Sequence, residues 1–487
     1  MNFKMKYVPV LVLMSFVVFS CDDYLDINEN PNFPTDAPIE GLMTRTTLES
    51  ARNTNRVAGT VSFFTQHFAS PNAATSTDTH QAVSYGVAWS SLYSVLGDLA
   101  EMEIKADRLD APWYGGIGKI LKAYNLGLLT SMFGDAPYSQ ALFAQTLNPP
   151  YDSSEDIYGV MLDLLDEAIA DLQQPSSAVV PAGDDYIFNG NRQAWIRTAY
   201  ALKARYLNHY SKLGAAYNTT AILAAVDNAF ENSNQDFQMN FFEGQGTGAE
   251  NPWYRLAVNN AGLLLGGWLS EHFVNQLNGE TFGIVDPRIE FITQPVTRPG
   301  DPREGQYIGT RNGAGRGADP EQNVRAVLAV GSWYANAPTD PLQMATYAEM
   351  KFIEAEAALA AQQPGRAATA YEEGIRAHMT KLGVDPGDID AYWANPEVST
   401  NIDLDKIMKE KYVAMFLIPE KWNDARRYDY AYEGFQIPAN HNTALNGQMI
   451  RLVRYPDSER QRNAQQIPDR GAPDPDQLLG RIFWDTP

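Results

Sequence analysis

The chain has 487 residues, 59 of them acidic and 37 basic, which gives a formal net charge of −22 at neutral pH. A surface with that balance repels nucleic acid and anionic lipid and excludes both as expected partners. A single cysteine rules out intrachain disulfides, so stability must come from a packed core, for which a hydrophobic content of 44% suffices.

Lys4 and Lys6 form a short positive stretch, and Val8 to Phe19 is an apolar run too short to cross a bilayer as a helix. Ser20 precedes the sole cysteine, Cys21. That order predicts a secretory signal over residues 1–20. The cysteine at its end predicts a bacterial lipoprotein acylated on the Cys21 thiol, with more than one acyl chain needed for stable anchoring. Without the signal, 35 basic residues face 59 acidic ones, a net charge of −24. Residues 21–35 are polar and broken by proline, and read as a flexible tether.

Helical spacing runs from Asp36 to Phe68, with Thr35 or Asp36 as cap and Pro38 in the first turn. Residues 69–84 are polar and read as a loop. A helix is expected over 89–109, with Trp89, Tyr93, Leu96 and Leu99 on one face. Another is expected over 114–132, stopped by Phe133-Gly134-Asp135-Ala136-Pro137. The segment 151–175 carries the stripe Ile157, Met161, Leu164, Leu165, Ala168 and Leu172, capped by Asp152 or Ser154. Over 192–213, Trp195, Ala199, Leu202 and Tyr206 share a face, and Ala199, Ala201 and Ala204 admit a close neighbour.

From about 231 to 341 glycine, proline and asparagine rise. Only a short helix near Leu263–Leu277 and strand pieces near Phe291 and Val324–Val330 are expected there. Helices return at 343–361, 366–382 and 404–417, and the tail from Gly434 is again loop-rich. Helix, short turn and helix, with alanine and tyrosine on the inner faces, suits either stacked tetratricopeptide-type hairpins or an irregular all-α domain. No clean self-match at about 34 residues separates the two.

Six histidines, at 67, 80, 209, 272, 378 and 441, show no metal-ligand spacing, and no Gly-x-Ser-x-Gly elbow occurs. Neither metal nor cofactor is expected. Gly313 to Ala318 reads as a flexible surface loop. Asp26, Asn28 and Asn30 open like a calcium loop, but Pro31 replaces the glycine and Ala37 the bidentate glutamate. Glu354 and Glu356, on an alanine-rich helix, are expected to pair with arginine rather than act as acids. Asp424, Arg426 and Arg427 are expected to form an ion-pair cluster.

Sugar rings pack their C–H faces on tryptophan and tyrosine while polar neighbours bond the hydroxyls. Tyr85, Trp253, Tyr254, Arg255, Trp333 and Tyr334 fall outside the regular helices, where binding residues concentrate, and are the candidate ligand contacts. Pinning long loops to the scaffold is the competing role for each. Trp89, Trp195 and Trp422 read as core. A pair of carboxylates for glycoside hydrolysis cannot be tested by spacing among so many acids. A surface glycan hydrolase and a non-catalytic envelope-assembly scaffold therefore stand as alternatives.

Several segments, in order, resemble the SusD/RagB-like outer-membrane lipoproteins. They are CDDYLDINENPNFP (21–34), FGDAPYSQAL (133–142), DPRIEF (286–291), YIGT (307–310), YAEMKFIEAEAAL (347–359), AATAYEEGI (367–375), EKYVAMFLIPEKWNDARRYDY (410–430), RYPDSERQRNAQQIP (454–468) and FWD (483–485). The resemblance implies an all-α fold: a tetratricopeptide-like hairpin scaffold with an irregular region packed on it. It implies one domain over 36–487, with the scaffold at about 36–230 and 342–430, a ligand-facing region at 231–341 and a tail at 431–487. It further implies a lipid-anchored protein on the outer face of the outer membrane of a Bacteroidota-type bacterium. Such a protein captures an oligosaccharide, or in some members a peptide, and is the lid of a SusC-like TonB-dependent barrel. No chemistry and no cofactor are implied. Asp22-Asp23 after the cysteine is similar to the surface-export signals of such bacteria.

Overall fold

The computed structural model describes residues 37–142, 146–244, 248–263, 266–319, 322–468 and 477–487. The signal, Cys21, the tether and the capping roles of Thr35 and Asp36 lie outside the described residues.

The first half is a run of helices, each packed on the next. α1 (Ile39–Phe64) leads into a two-residue strand, β1 (Phe68–Ala69). There follow α2 (Gly86–Arg108), α3 (Pro112–Phe133), α4 (Ser154–Gln173), α5 (Arg192–Asn208) and α6 (Thr219–Asp227). The stripe on α4 is buried as its spacing requires, and Ser153, between the two expected caps, accepts the Asp156 N–H at 3.1 Å. α3 is buried nearly all round, and Gly116 sets how closely α4 approaches it. A Cβ there would fall 2.7 Å from Leu172 Cγ. Trp89, Trp195 and Trp422 are core residues.

After α6 the chain enters β2 (Phe237–Asn240), α7 (Pro252–Leu263), β3 (Trp268–Leu269), α8 (Glu271–Asn275) and α9 (Ile289–Ile292), and returns through β4 (Pro341–Ala345). β2 and β4 pair antiparallel, with Asn240 opposite Pro341. Residues 241–340 are thus an excursion that leaves and re-enters the scaffold at one ribbon. α10 (Tyr347–Ala360) then packs back on α6. Thr346 starts α10 with a capping box to Glu349, so the segment from Gln343 that periodicity assigned to the helix is strand. The expected helix at 263–277 is likewise split into β3 and α8. Phe291 lies in the single turn of α9 rather than in a strand, and the piece near Val327 is one bridge to Trp268. β1 and β3 pair antiparallel, which ties the excursion to the chain just after α1.

α11 (Pro364–Leu382), α12 (Pro386–Trp393), α13 (Pro396–Ser399), α14 (Leu404–Ala414), α15 (Lys421–Arg427) and α16 (Asp457–Arg462) complete a mostly helical molecule built of stacked hairpins. Among the described residues, no helix is long and apolar enough to cross a membrane.

Buried ion pairs lock the scaffold. Arg205 of α5 grips both oxygens of Glu349 at 2.6 Å. Glu356 accepts from Lys411 at 2.8 Å and from Arg427 at 2.9 Å, and both cations also reach Asp424. Burial opposes the charge on Glu356, but Arg427 and Lys411 prevail and hold its pKa down at about 2. Glu354 binds Arg366 and Lys351, which agrees with the structural reading of both glutamates. Arg426 departs from expectation. It reaches no carboxylate in the Asp424 cluster and instead donates to the Ser131 carbonyl at 2.9 Å and the Arg451 carbonyl at 2.6 Å. Its guanidinium stacks on Trp422, 4.0 Å from the ring centre.

Candidate ligand-binding cleft

A cleft of about 660 Å³ opens between α1 and the start of α7. Its first wall is a stripe of Arg52, Asn55, Arg56, Gly59, Thr60 and Phe63 at helical spacing on α1. Between residues 51 and 63 these six are the positions that are not buried. The rest of that stretch faces the core.

The opposite wall is fixed by Asn251. Its side-chain oxygen accepts the Trp253 N–H at 2.7 Å, which starts α7, and its amide donates to the Asp340 carbonyl at 2.9 Å. Trp253 is only 3% exposed and meets Phe68 of β1 edge to face, 6.2 Å between centroids. It closes the floor of the cleft and has no open face on which a sugar ring could lie. Arg255 reaches over the wall to Glu250 at 3.3 Å.

The arginines are held from behind. Arg52 binds Glu49 and the Gly248 carbonyl. Arg56 donates to Glu49 at 3.2 Å, Asn53 at 2.9 Å and Ser91 at 2.8 Å. Burial pushes Glu49 up, but its bonds to Arg52 and Arg56 outweigh this and hold its pKa below the usual value. A guanidinium fixed in this way keeps its other N–H groups in a set direction for a ligand. Among the described lining residues the only carboxylate is Glu250.

Thr77 brings the loop 70–84 to the rim, and buried Asp78 holds that loop. Asp78 accepts from the Ser70 N–H at 3.1 Å, the Gly313 N–H at 2.7 Å and the Asn312 amide at 2.6 Å. The stretch from Gly313 is therefore no free surface loop at its start. Gly313 has φ +73°, and a Cβ there would fall 1.7 Å from the Ala439 carbonyl. Only glycine lets the three loops meet.

Of the six candidate contacts, the structure brings Trp253 and Arg255 together on one wall, as the first turn of a helix rather than a loop. Tyr254, between them, is not among the lining residues. Tyr85 lies one layer back, its hydroxyl donating to Thr77 at 3.2 Å. Trp333 and Tyr334 form a turn packed on α7. Tyr334 is buried, bonded to His378 at 3.1 Å, with its ring 5.0 Å from Phe416. These two anchor the excursion to the scaffold. The α1 wall leaves little mark in the sequence, because the buried face of the same helix also carries Thr46, Thr47, Ser50, Asn53 and Thr54, so polarity does not separate the two faces.

The family described as starch-binding and associating with outer membrane, of SusD-like type, matches residues 31–456. Among solved structures, a SusD/RagB family protein from Bacteroides thetaiotaomicron superposes with a TM-score of 0.77 at 18% identity, covering 92% of this chain and 99% of its own. A chitin-binding SusD homolog from Flavobacterium johnsoniae gives 0.74 at 20%, covering 92% and 98%. A chitin-binding protein gives 0.75 at 22%, covering 92% and 100%. No curated protein matches the chain. With a match over most of its length and the same helical fold, the chain belongs to the SusD-like family of starch-binding, outer-membrane-associated proteins.

Proposed function

We propose that the chain is a surface lipoprotein that captures an oligosaccharide in the cleft between α1 and α7 and passes it to a SusC-like TonB-dependent barrel. The observation that carries this reading is the cleft wall. Asn55, Thr60 and three braced arginines offer hydrogen bonds to hydroxyls, and Phe63 offers apolar surface between them. The two similar structures that bind chitin support a glycan over a peptide. Cys21, acylated, supplies the anchor and sets the protein on the outer face of the membrane.

The same wall argues against hydrolysis. Glycosidases flank the bond with two carboxyl groups about 5–10 Å apart. The cleft's lining carboxylate, Glu250, is bound to Arg255. The function is binding, without turnover.

Titration of the acyl-free protein with maltooligosaccharides and chitooligosaccharides tests the reading. One of these series binds, Arg56→Ala weakens it at least tenfold, and chromatography shows no product. Products, or binding of peptides and of no glycan, would overturn it. Cys21→Ala releases the protein from membranes, and the barrel co-purifies with the anchored form.

A further inference from the structure

A second cavity, of about 270 Å³, opens between α13, α14 and the chain after α15, and shares no lining residue with the cleft. Its volume is near the lower end of the roughly 300–1,000 Å³ usual for small-ligand sites. Its depth is aromatic. Tyr371, Tyr392 and Tyr432 are buried there, with Phe282 and Tyr428 beside them. Its rim carries Glu397, Asp403, Asp405 and Glu433, all exposed.

Charge in the depth is already matched. Lys409 bonds Glu410 at 2.5 Å and the Tyr392 hydroxyl at 2.6 Å, and Glu410 also takes Arg288. Charge at the rim is not. Lys406 donates to the Thr400 carbonyl at 2.6 Å, and among the described residues no lysine or arginine is paired with the four rim carboxylates. Lys409 shows how an ammonium sits in this place. Its nitrogen lies 5.1 Å from the Phe282 ring centre and 5.4 Å from that of Tyr392.

Tyr371 is 1% exposed, lines the cavity, and its hydroxyl has no hydrogen bond among the described residues. Glu410 and Asp403 are among the charges it feels. The hydroxyl opens onto the cavity, where a hydroxyl of an occupant can bond it.

We infer that this cavity is a second binding site, for a sugar unit with a free amine. The ammonium meets the rim carboxylates, the ring lies against the tyrosines and a ring hydroxyl meets Tyr371. A lysine side chain would satisfy the rim but carries no hydroxyl for Tyr371. The site does not depend on what the cleft binds.

The test is titration of the acyl-free protein with the glucosamine disaccharide and with its N-acetylated form. The amine form binds. Glu397→Gln with Glu433→Gln weakens it at least tenfold, and Tyr371→Phe weakens it severalfold, with unfolding midpoints unchanged for the exposed rim pair. Arg56→Ala, which disables the cleft, leaves this binding intact, so failure of one site is told apart from failure of the other. Three results would overturn the inference: equal binding of the N-acetylated form that the rim substitutions also weaken, amine binding indifferent to those substitutions, or binding of a Gly-Lys-Gly peptide in place of the amino sugar.

Discussion

The scaffold and the excursion at 241–340 are held together by different physics. In the scaffold, periodic helices bury apolar faces, and charged side chains enter the core in matched sets, such as Glu356 and Asp424 with Lys411 and Arg427, or bonded to carbonyls and hydroxyls, as Arg426 and Lys421 are. In the excursion, regular elements are few. Backbone groups are satisfied by single anchors such as Asp78 and Asn251, and loops meet at glycines. The cleft lies along the seam, with one wall from a scaffold helix and the other from the excursion, so the rigid part aims the arginines and the looser part shapes the opposite wall.

The largest effect is expected from breaking a scaffold set. Glu356→Ala leaves Lys411 and Arg427 buried with Asp424 alone, and the loss of a partner in a buried pair costs about 3–5 kcal/mol. The urea midpoint falls for the whole molecule, read by far-ultraviolet circular dichroism. Gly313→Val acts on the other region. It forces a β-branched residue to positive φ, a strain of about 1–3 kcal/mol, and into the Ala439 carbonyl, an overlap relieved only if the loops part. Hydrogen exchange rises in 70–84, 311–318 and 436–442, glycan binding is lost, and the global midpoint moves less than for Glu356→Ala. An equal fall in both variants would erase the distinction between the regions.

That distinction also explains how much was legible in the sequence. Helices α2 to α5 could be read because burial repeats at helical spacing, and the structural role of Glu354 and Glu356 because an alanine-rich helix has little room for solvent around them. The β2–β4 ribbon was not legible. Its register joins residues a hundred positions apart, and Gln343 to Ala345 fit a helix as well as a strand until Thr346 is known to be the cap. The cleft was half legible. Aromatic residues drew attention to Trp253, but whether a ring is open or closed depends on Phe68 and Gly59, which arrive from elsewhere in the chain. Arg426 was misread for a similar reason. Its carbonyl partners belong to segments remote in sequence, and carbonyls leave no mark in it.

Acid should separate the regions in sequence. His272 in the excursion and His80 in the loop 70–84 are buried, and burial pushes their pKa values down to about 3. The unfolded chain takes up these protons below about pH 6.5 and the native one refuses them. The stability they leave intact above pH 6.5 is lost as pH falls towards 3, at about 1.4 kcal/mol per pH unit for each histidine. The scaffold carboxylates Glu356 and Glu410 are held at about 2, against burial, mainly by Arg427 and Arg288 respectively. Their contribution is whole above pH 4.5 and is lost only as pH falls from there towards 2. Hydrogen exchange at pH 5.5 therefore opens the loops around His80 and His272 and the contact of Tyr334 with His378 on α11, whose pKa burial also pushes down, while the α10–α14–α15 core stays protected. His80→Asn, which keeps a residue tolerant of its positive φ, reduces the slope between pH 6.5 and 5.

The smallest effect tests whether charge in the scaffold counts only when buried. Lys203 on α5 is paired with Asp166 on α4 at the surface, where the carboxylate side chain is 58% exposed. Both helices are firmly packed, and the pair bridges them as Lys411 bridges Glu356 and Asp424. The difference is water. Solvent screens the attraction and hydrates either partner left alone, so exposed pairs contribute about 0.2–1 kcal/mol. Lys203→Ala therefore shifts the urea midpoint by a small fraction of the Glu356→Ala shift, and the remainder vanishes in molar salt, where the screening length shrinks to about 3 Å. A large, salt-resistant loss would mean that the scaffold leans on its surface charge as well, and that the contrast between buried sets and a solvated acidic surface is too sharply drawn.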